Sequence, residues 1–299
     1  MTSVVPARPP VKLATGPVTW GVDFADTPGN PPWAKVLDDI EASGIGALEL
    51  GPIGYLPEDP VVLRAELDRR DLHAVGSFVF EDLHDPTKAD AILALAERAC
   101  RAVLAGGGDL LVMIDRVCPE RVATAGRPGV APRLDGPRWA AMLELIGRVA
   151  AVARSHGVRP VFHPHAGGYV EFEDEIERLL ADTDLELCVD TGHSAYARVD
   201  PVALLRRVGS RVGHVHFKDI RPSVLAQVDA EALDFWQAIE RGIFCPVGEG
   251  MVDIAAVLGV LAELGYEGYA TIEQDRVPGQ GTPLDDLRRS MAVIAGAMA

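Results

Sequence analysis

Short apolar runs rich in Val, Ile, Leu and Phe alternate along this chain with longer segments whose apolar residues recur every three or four positions. The first pattern predicts strands and the second predicts amphipathic helices. The run "VTWGVDF" (18–24) reads as a first strand, and a helix over 33–44 follows, stopped by Gly44. "GALELG" (46–51) precedes a helix over 60–71, and "LHAVGSFVF" (72–80) precedes the Ala/Leu-rich segment 87–105. "GDLLVMID" (108–115) leads through a Pro/Gly-rich loop to a helix over 138–156. The rhythm continues with "RPVFHPH" (159–165) and helix 172–181, then "LELCVDTGH" (185–193) and helix 201–207. "RVGHVHFKD" (211–219) is separated by a long insertion from helix 253–264, and "GYATIEQD" (268–275) precedes the closing helix 283–297.

Strands alternating with helices imply parallel pairing through right-handed crossovers. Eight such units in 299 residues favour an α/β fold of one closed (β/α)8 TIM barrel over an open sheet. No GxGxxG or GxxxxGK[ST] follows an early strand, which weakens a dinucleotide or P-loop reading. The expected organisation is a flexible N-terminal arm over 1–16 and a barrel over 17–299. An insertion at about 220–252 completes it. The 33 residues between Asp219 and Asp253 exceed an ordinary βα loop. Their Phe235, Trp236 and Phe244 are expected to close on a substrate or to pack between copies in a homo-oligomer.

Composition narrows the function. The chain is 48% hydrophobic and 24% charged, as a globular domain is. With 28 basic against 44 acidic residues its formal charge is −16, which repels phosphate backbones and anionic membranes. Neither nucleic acid nor membrane is therefore an expected partner. The cysteines Cys100, Cys118, Cys188 and Cys245 form no CxxC pair, against both a structural zinc knuckle and a disulfide scaffold. "MTSVVPARPPVKLATG" has no apolar core like that of a signal peptide, and no run approaches a membrane span, so the expected location is cytoplasmic.

In a TIM barrel, chemistry gathers at the C-terminal ends of the strands, and the polar residues of this chain fall there. Strand 2 ends with Glu49, strand 5 with His163 and His165, and strand 6 with Asp190 and His193. Strand 7 ends with His214, His216, Lys218 and Asp219, and strand 8 with Glu273 and Asp275. Alternation puts His214, His216 and Lys218 on one face. It also sets Cys188 beneath Asp190 as a small filler, and it leaves one of Glu273 and Asp275 at the mouth. A single buried histidine is more often a hydrogen-bonded structural group, as expected for His73 and His156 on the opposite rim; His84 reads as solvated. A set converging from several strands reverses that reading. Two carboxylates with two imidazoles suit Mn, Co, Fe or Zn better than Ca.

The motifs "HPHAGG", "VDTGH", "HVHFKD", "PVGEGMVD" and "YEGYATIEQD", in this order, resemble the xylose isomerase-like barrel superfamily of sugar phosphate isomerases and epimerases. Within it they look most like the inosose (2-keto-myo-inositol) dehydratases, as does "FWQAIERGIFCPVGEG" in the insertion. The resemblance runs from about Trp20 to the last helix and is densest over 159–276. It implies one divalent metal ion (Mn, Co, Fe, Zn or Mg) bound by Asp190, His216, Glu273 and one ligand from strand 5. That ligand is His163 as first choice, with His165 and then Glu171 as alternatives. Relatives place a substrate-contacting histidine at the position of His193; Glu49 and Lys218 are further candidates for contact with substrate, and Glu249 for capping the site, with a turn role for its Gly-rich segment an equal reading.

The expected reaction is dehydration of a keto-polyol through a metal-stabilised enolate, with loss of a β-hydroxyl. Reprotonation of the same enolate would give an isomerase or epimerase. Glu49 and Glu273 are the carboxylate candidates for the base, and His193 or His165 for the acid. A non-catalytic polyol-binding barrel and a DNA-repair endonuclease of the same superfamily are the readings from other classes, the latter disfavoured by the charge.

Overall fold

The computed structural model describes residues 11–298. Eight parallel strands close into a barrel in sequence order: β1 (Lys12–Thr15), β2 (Ala47–Glu49), β3 (His73–Glu81), β4 (Leu110–Asp115), β5 (Arg159–Phe162), β6 (Glu186–Asp190), β7 (Val212–Phe217) and β8 (Tyr269–Ile272). β8 pairs with β1 to complete the ring, Lys12 opposite Tyr269 and Thr15 opposite Ile272. Helices wrap the outside, among them Trp33–Ser43, Ala89–Ala105, Gly136–Ser155 and Ile254–Glu263. Asp59, Asp135 and Asp200 each cap a helix that starts with a proline in its first turn, satisfying amides that the helix leaves unbonded. Among the described residues no helix is long and apolar enough to cross a membrane.

The first strand departs from the expectation. β1 lies at Lys12–Thr15, inside the stretch read as an arm, while Pro17–Trp20 of "VTWGVDF" and its approach forms a one-turn helix. Pro17 has no N–H to give to a ladder, and Gly21 closes the turn at φ 83°. Residues 1–10 of the expected arm lie outside the described residues. The structure also adds four α-helices that periodicity did not isolate: Pro119–Val122 in the Pro/Gly-rich loop, Thr191–Tyr196 directly after β6, and Pro222–Glu231 and Phe235–Glu240 within the insertion. Asp219–Ile220 pairs antiparallel with Phe244–Cys245, which returns the insertion to the barrel.

Two kinds of side chain fill the barrel. Phe78, Leu110, Val112, Ile114, Val161 and Cys188 form an apolar interior cluster, so Cys188 is the small filler that alternation expects. Glu49, Asp190, His214, His216, Lys218, Thr271 and Glu273 are buried polar residues on or just beyond β2, β6, β7 and β8. The apolar cluster draws on β3, β4, β5 and β6, and the polar set on β2, β6, β7 and β8.

Candidate active site

Asp190 anchors the polar set. As the residue before helix Thr191–Tyr196, it accepts the amides of Gly192 and His193 on Oδ1, both at 2.8 Å. This cap fixes the carboxylate and aims Oδ2 across the barrel. Oδ2 lies 3.4 Å from His163 Nε2, 3.5 Å from His216 Nδ1 and 3.3 Å from Lys218 Nζ. Glu273 Oε2 approaches from β8, 3.2 Å from His216 Nδ1 and 3.2 Å from Lys218 Nζ. His163 continues the ladder past β5, its amide donating to Met113 O at 2.9 Å.

These residues fit a divalent cation. Asp190, His216 and Glu273 bring ligand atoms within 4.8 Å of one another, and so do His163, Asp190 and His193. Asp190 Oδ2 and His216 Nδ1 are buried with no hydrogen-bond partner. Buried polar atoms are seldom left so unless something else is meant to meet them. Charge points the same way: Asp190, Glu273 and Asp275 face the single ammonium of Lys218. Burial opposes that ammonium, yet Asp190, then Asp275 and Glu273, hold Lys218 well above the usual lysine range. Burial likewise pushes Asp190 up, but the charges of Lys218 and His193 outweigh it and hold the carboxyl well below its usual range.

Glu49 does not stand where a substrate-contacting base would. His214 Nε2 and His216 Nε2 each donate to its Oε1 at 2.9 Å, and Thr271 Oγ1 donates at 2.6 Å. It lies beneath His216 and does not line the cavity described below. With its Nε2–H given to Glu49, His216 presents Nδ1 as the free ligand atom, the outer-shell arrangement that fixes a ligating imidazole. Expected as a catalytic or substrate-contacting residue, the strand-2 acid contacts His214, His216 and Thr271.

Two further candidates, Glu171 and Glu249, stand apart from this cluster. Glu171 is spent on structure: Oε1 accepts the Gly126 amide at 2.6 Å, Oε2 the Gly167 amide at 3.0 Å, and buried Arg121 donates to it at 3.2 Å. Glu249 lies outside the site, exposed and paired with Arg289 at 2.8 Å and Arg221 at 3.7 Å. The Gly-rich segment around it serves as a turn wound about Asp219, whose carboxylate accepts the amides of Ile220, Gly248, Gly250 and Val252. His84 is not simply solvated either, since its Nδ1 pairs with buried Asp115 at 2.8 Å. Both strand-8 acids are buried and line one cavity, so neither is set apart at the mouth.

That cavity has a volume of about 40 Å³. Its polar wall carries His163, His165, His216, Lys218, Glu273 and Asp275. Phe78, Phe80 and Ile114 form the opposite wall, while Phe235, Trp236 and Ile239 of the insertion cover it. His165 stacks on His193 with ring centroids 3.9 Å apart. His193 receives the Ala166 amide at Nδ1 (3.4 Å) and reaches Asp275 Oδ2 through Nε2 (3.3 Å). Asp23 also lines the cavity. Sequence reading missed it because it was absorbed into a supposed first strand; the available signal was an acid inside an apolar run just after the true one.

Close approach explains the glycine of "VDTGH". A Cβ on Gly192 would lie 2.7 Å from Lys218 Cγ and 2.8 Å from its Cβ. Gly192→Ala is expected to push Lys218 off Asp275 and lower kcat on the order of 100-fold, the cost of roughly 1 Å of misplacement. Metal content measured beside kcat should stay at the wild-type level; unchanged kcat would refute the placement.

A family model described as xylose isomerase-like TIM barrel matches residues 37–296. The chain is 30% identical over 289 residues to an inosose dehydratase of Geobacillus kaustophilus (strain HTA426), covering 92% of this chain and 90% of that protein. It is 31% identical over 277 residues to the rhizopine catabolism protein MocC of Rhizobium meliloti, covering 92% and 84%. The crystal structure of IOLI protein with a binding zinc atom superimposes with a TM-score of 0.71 at 13% identity, over 96% of this chain and 98% of that one. At that identity the likeness is one of fold.

Proposed function

Because the chain belongs to the xylose isomerase-like TIM barrel family, we propose that it is a divalent-metal-dependent dehydratase of a keto-polyol such as 2-keto-myo-inositol. The observation that carries this reading is the convergence of unpartnered Asp190 Oδ2 and His216 Nδ1 with Glu273 Oε2 beside a cavity lined by His163, His165 and Lys218. The relative of Geobacillus kaustophilus named an inosose dehydratase supports the substrate class. The zinc named in the IOLI structure supports a metal.

Asp190, His216, Glu273 and His163 would hold the cation. When bound, it supplies Lewis acidity to a ketone oxygen and charge to stabilise the enolate. The chain's own groups do the rest. His165 donates its Nδ1–H to Ala166 O at 2.8 Å, so Nε2 carries the lone pair. Burial, with the charges of His193 and His163, holds its pKa well below the usual histidine range and keeps the ring neutral. In that state it can take the proton α to the ketone. Lys218, fixed 2.6 Å from Asp275 Oδ1, offers its ammonium to the oxygen on which negative charge grows. His193, held by Asp275, keeps His165 in place. Phe78, Phe80 and Ile114 face the C–H surface of the substrate, and helix Phe235–Glu240 acts as a lid that excludes water.

Incubating metal-reconstituted protein with 2-keto-myo-inositol, followed by NMR, tests the reading. The expected product has lost one water. Interconversion of ring isomers without water loss would instead identify an isomerase or epimerase acting through the same enolate. Binding with no turnover would sink both in favour of a polyol-binding barrel.

A further inference from the structure

Asp23 follows the one-turn helix Pro17–Trp20 that caps the end of β1. It lines the inner cavity with Lys218, Glu273 and Asp275. It also lines an outer basin of about 360 Å³ shared with Phe24, Phe80 and Arg116, so it stands where the two spaces meet. The other acids of the cavity are committed: Glu273 to His216 and Lys218, Asp275 to Lys218 and His193. Among the described residues the half-buried side chain of Asp23 has no hydrogen bond and no ion pair. A carboxyl that lines a substrate cavity without any partner of its own is free to engage what enters.

We propose that Asp23 is the catalytic acid of the elimination: its carboxyl hydrogen-bonds the substrate hydroxyl that leaves and hands it a proton. This inference rests on the dehydratase reading above. The base removes the proton α to the ketone, and the pair from that C–H bond becomes the new C=C bond. The C–O bond to the β-hydroxyl breaks with its pair on oxygen, and the proton of Asp23 completes a molecule of water. The aspartate left behind regains a proton from solvent through the outer basin, and the base returns its own to solvent, so the net change is loss of water. Burial and the charge of Asp275, with a smaller push from Glu273, raise the Asp23 carboxyl to about 8 against the pull of Lys218. That shift is toward the protonated state a general acid needs.

The test compares wild type, Asp23→Asn and Asp23→Ala in D2O with metal-loaded protein and 2-keto-myo-inositol. A second substrate carries fluoride in place of the leaving hydroxyl, since fluoride departs without a proton. Both variants should dehydrate roughly 100-fold or more slowly, the usual weight of a general acid. Deuterium exchange at the α carbon and release of fluoride should stay near the wild-type rate. Equal loss of all three activities, or dehydration at the wild-type rate, would overturn the assignment. Failure of both variants to fold would overturn it too, because an unpartnered side chain has no structural contact to lose. If wild type shows neither exchange nor dehydration, the dehydratase reading itself fails, and this inference with it.

Discussion

Asp190→Asn is expected to lose its divalent cation and its turnover while remaining folded. The substitution separates two jobs that one carboxylate performs. Oδ1 caps helix Thr191–Tyr196 through the Gly192 and His193 amides, and the carbonyl of an asparagine can accept the same two bonds. Oδ2 faces His163, His216 and Lys218. There the amide nitrogen of asparagine would turn two N–H groups toward a cation and toward the Lys218 ammonium. Removing even an outer-shell partner costs metal sites about 10- to 100-fold in affinity, so losing a ligand should cost at least that. Glu273→Gln should behave alike, since its Oε2 is shared between His216 Nδ1 and Lys218 Nζ. Metal analysis after dialysis, run beside a thermal melt, checks both. Full metal occupancy in the two variants would sink the ligand assignment, whatever happened to the rate.

The barrel was legible because β2 to β8 lie in short apolar runs and the long helices between them repeat an apolar face. Alternation alone brought His216 and Lys218 to the inner face of β7 and set Cys188 under Asp190. Direction was legible; depth and partners were not. Glu49 points inward as expected, yet whether it meets substrate or His216 depends on His214 and Thr271, which approach it from β7 and β8. Glu171 follows the paired histidines closely in sequence and so looked like a ligand, but Arg121, fifty positions earlier, claims it. Glu249 lies in a Gly-rich turn whose shape is set by the amides converging on Asp219, a contact no local pattern announces. Asp23 was hidden because Pro17 and Gly21 break an apparently continuous strand just before it.

Arg121 carries the largest expected effect on stability. Its side chain is fully buried, and its Nη1 and Nη2 grip Glu175 Oε1 and Oε2 at 2.7 and 3.0 Å in a two-point contact. Nη2 also reaches Glu171 at 3.2 Å, and Nη1 donates to Pro132 O at 2.7 Å. Arg121→Ala would leave two buried carboxylates facing each other without their shared cation. Breaking a buried pair in this way costs about 3–5 kcal/mol, which in a chain of this size lowers Tm on the order of 10 °C. Arg121→Lys keeps the charge but not the planar fork, so it should fall between wild type and Ala. Adding Glu171→Gln to Arg121→Ala should recover part of the loss by removing the carboxylate left without a cation, since Glu175 keeps Arg133 at 3.1 Å, and a loss of packing alone would not allow that recovery. The site should feel the change as well. Glu171 holds the Gly167 amide and Ala166 meets His193, so this cluster props the loop that carries His165. Chemical denaturation of the three variants measures the effect; an Arg121→Ala protein as stable as wild type would show that the buried cluster is not what ties the loop after β4 to the loop after β5.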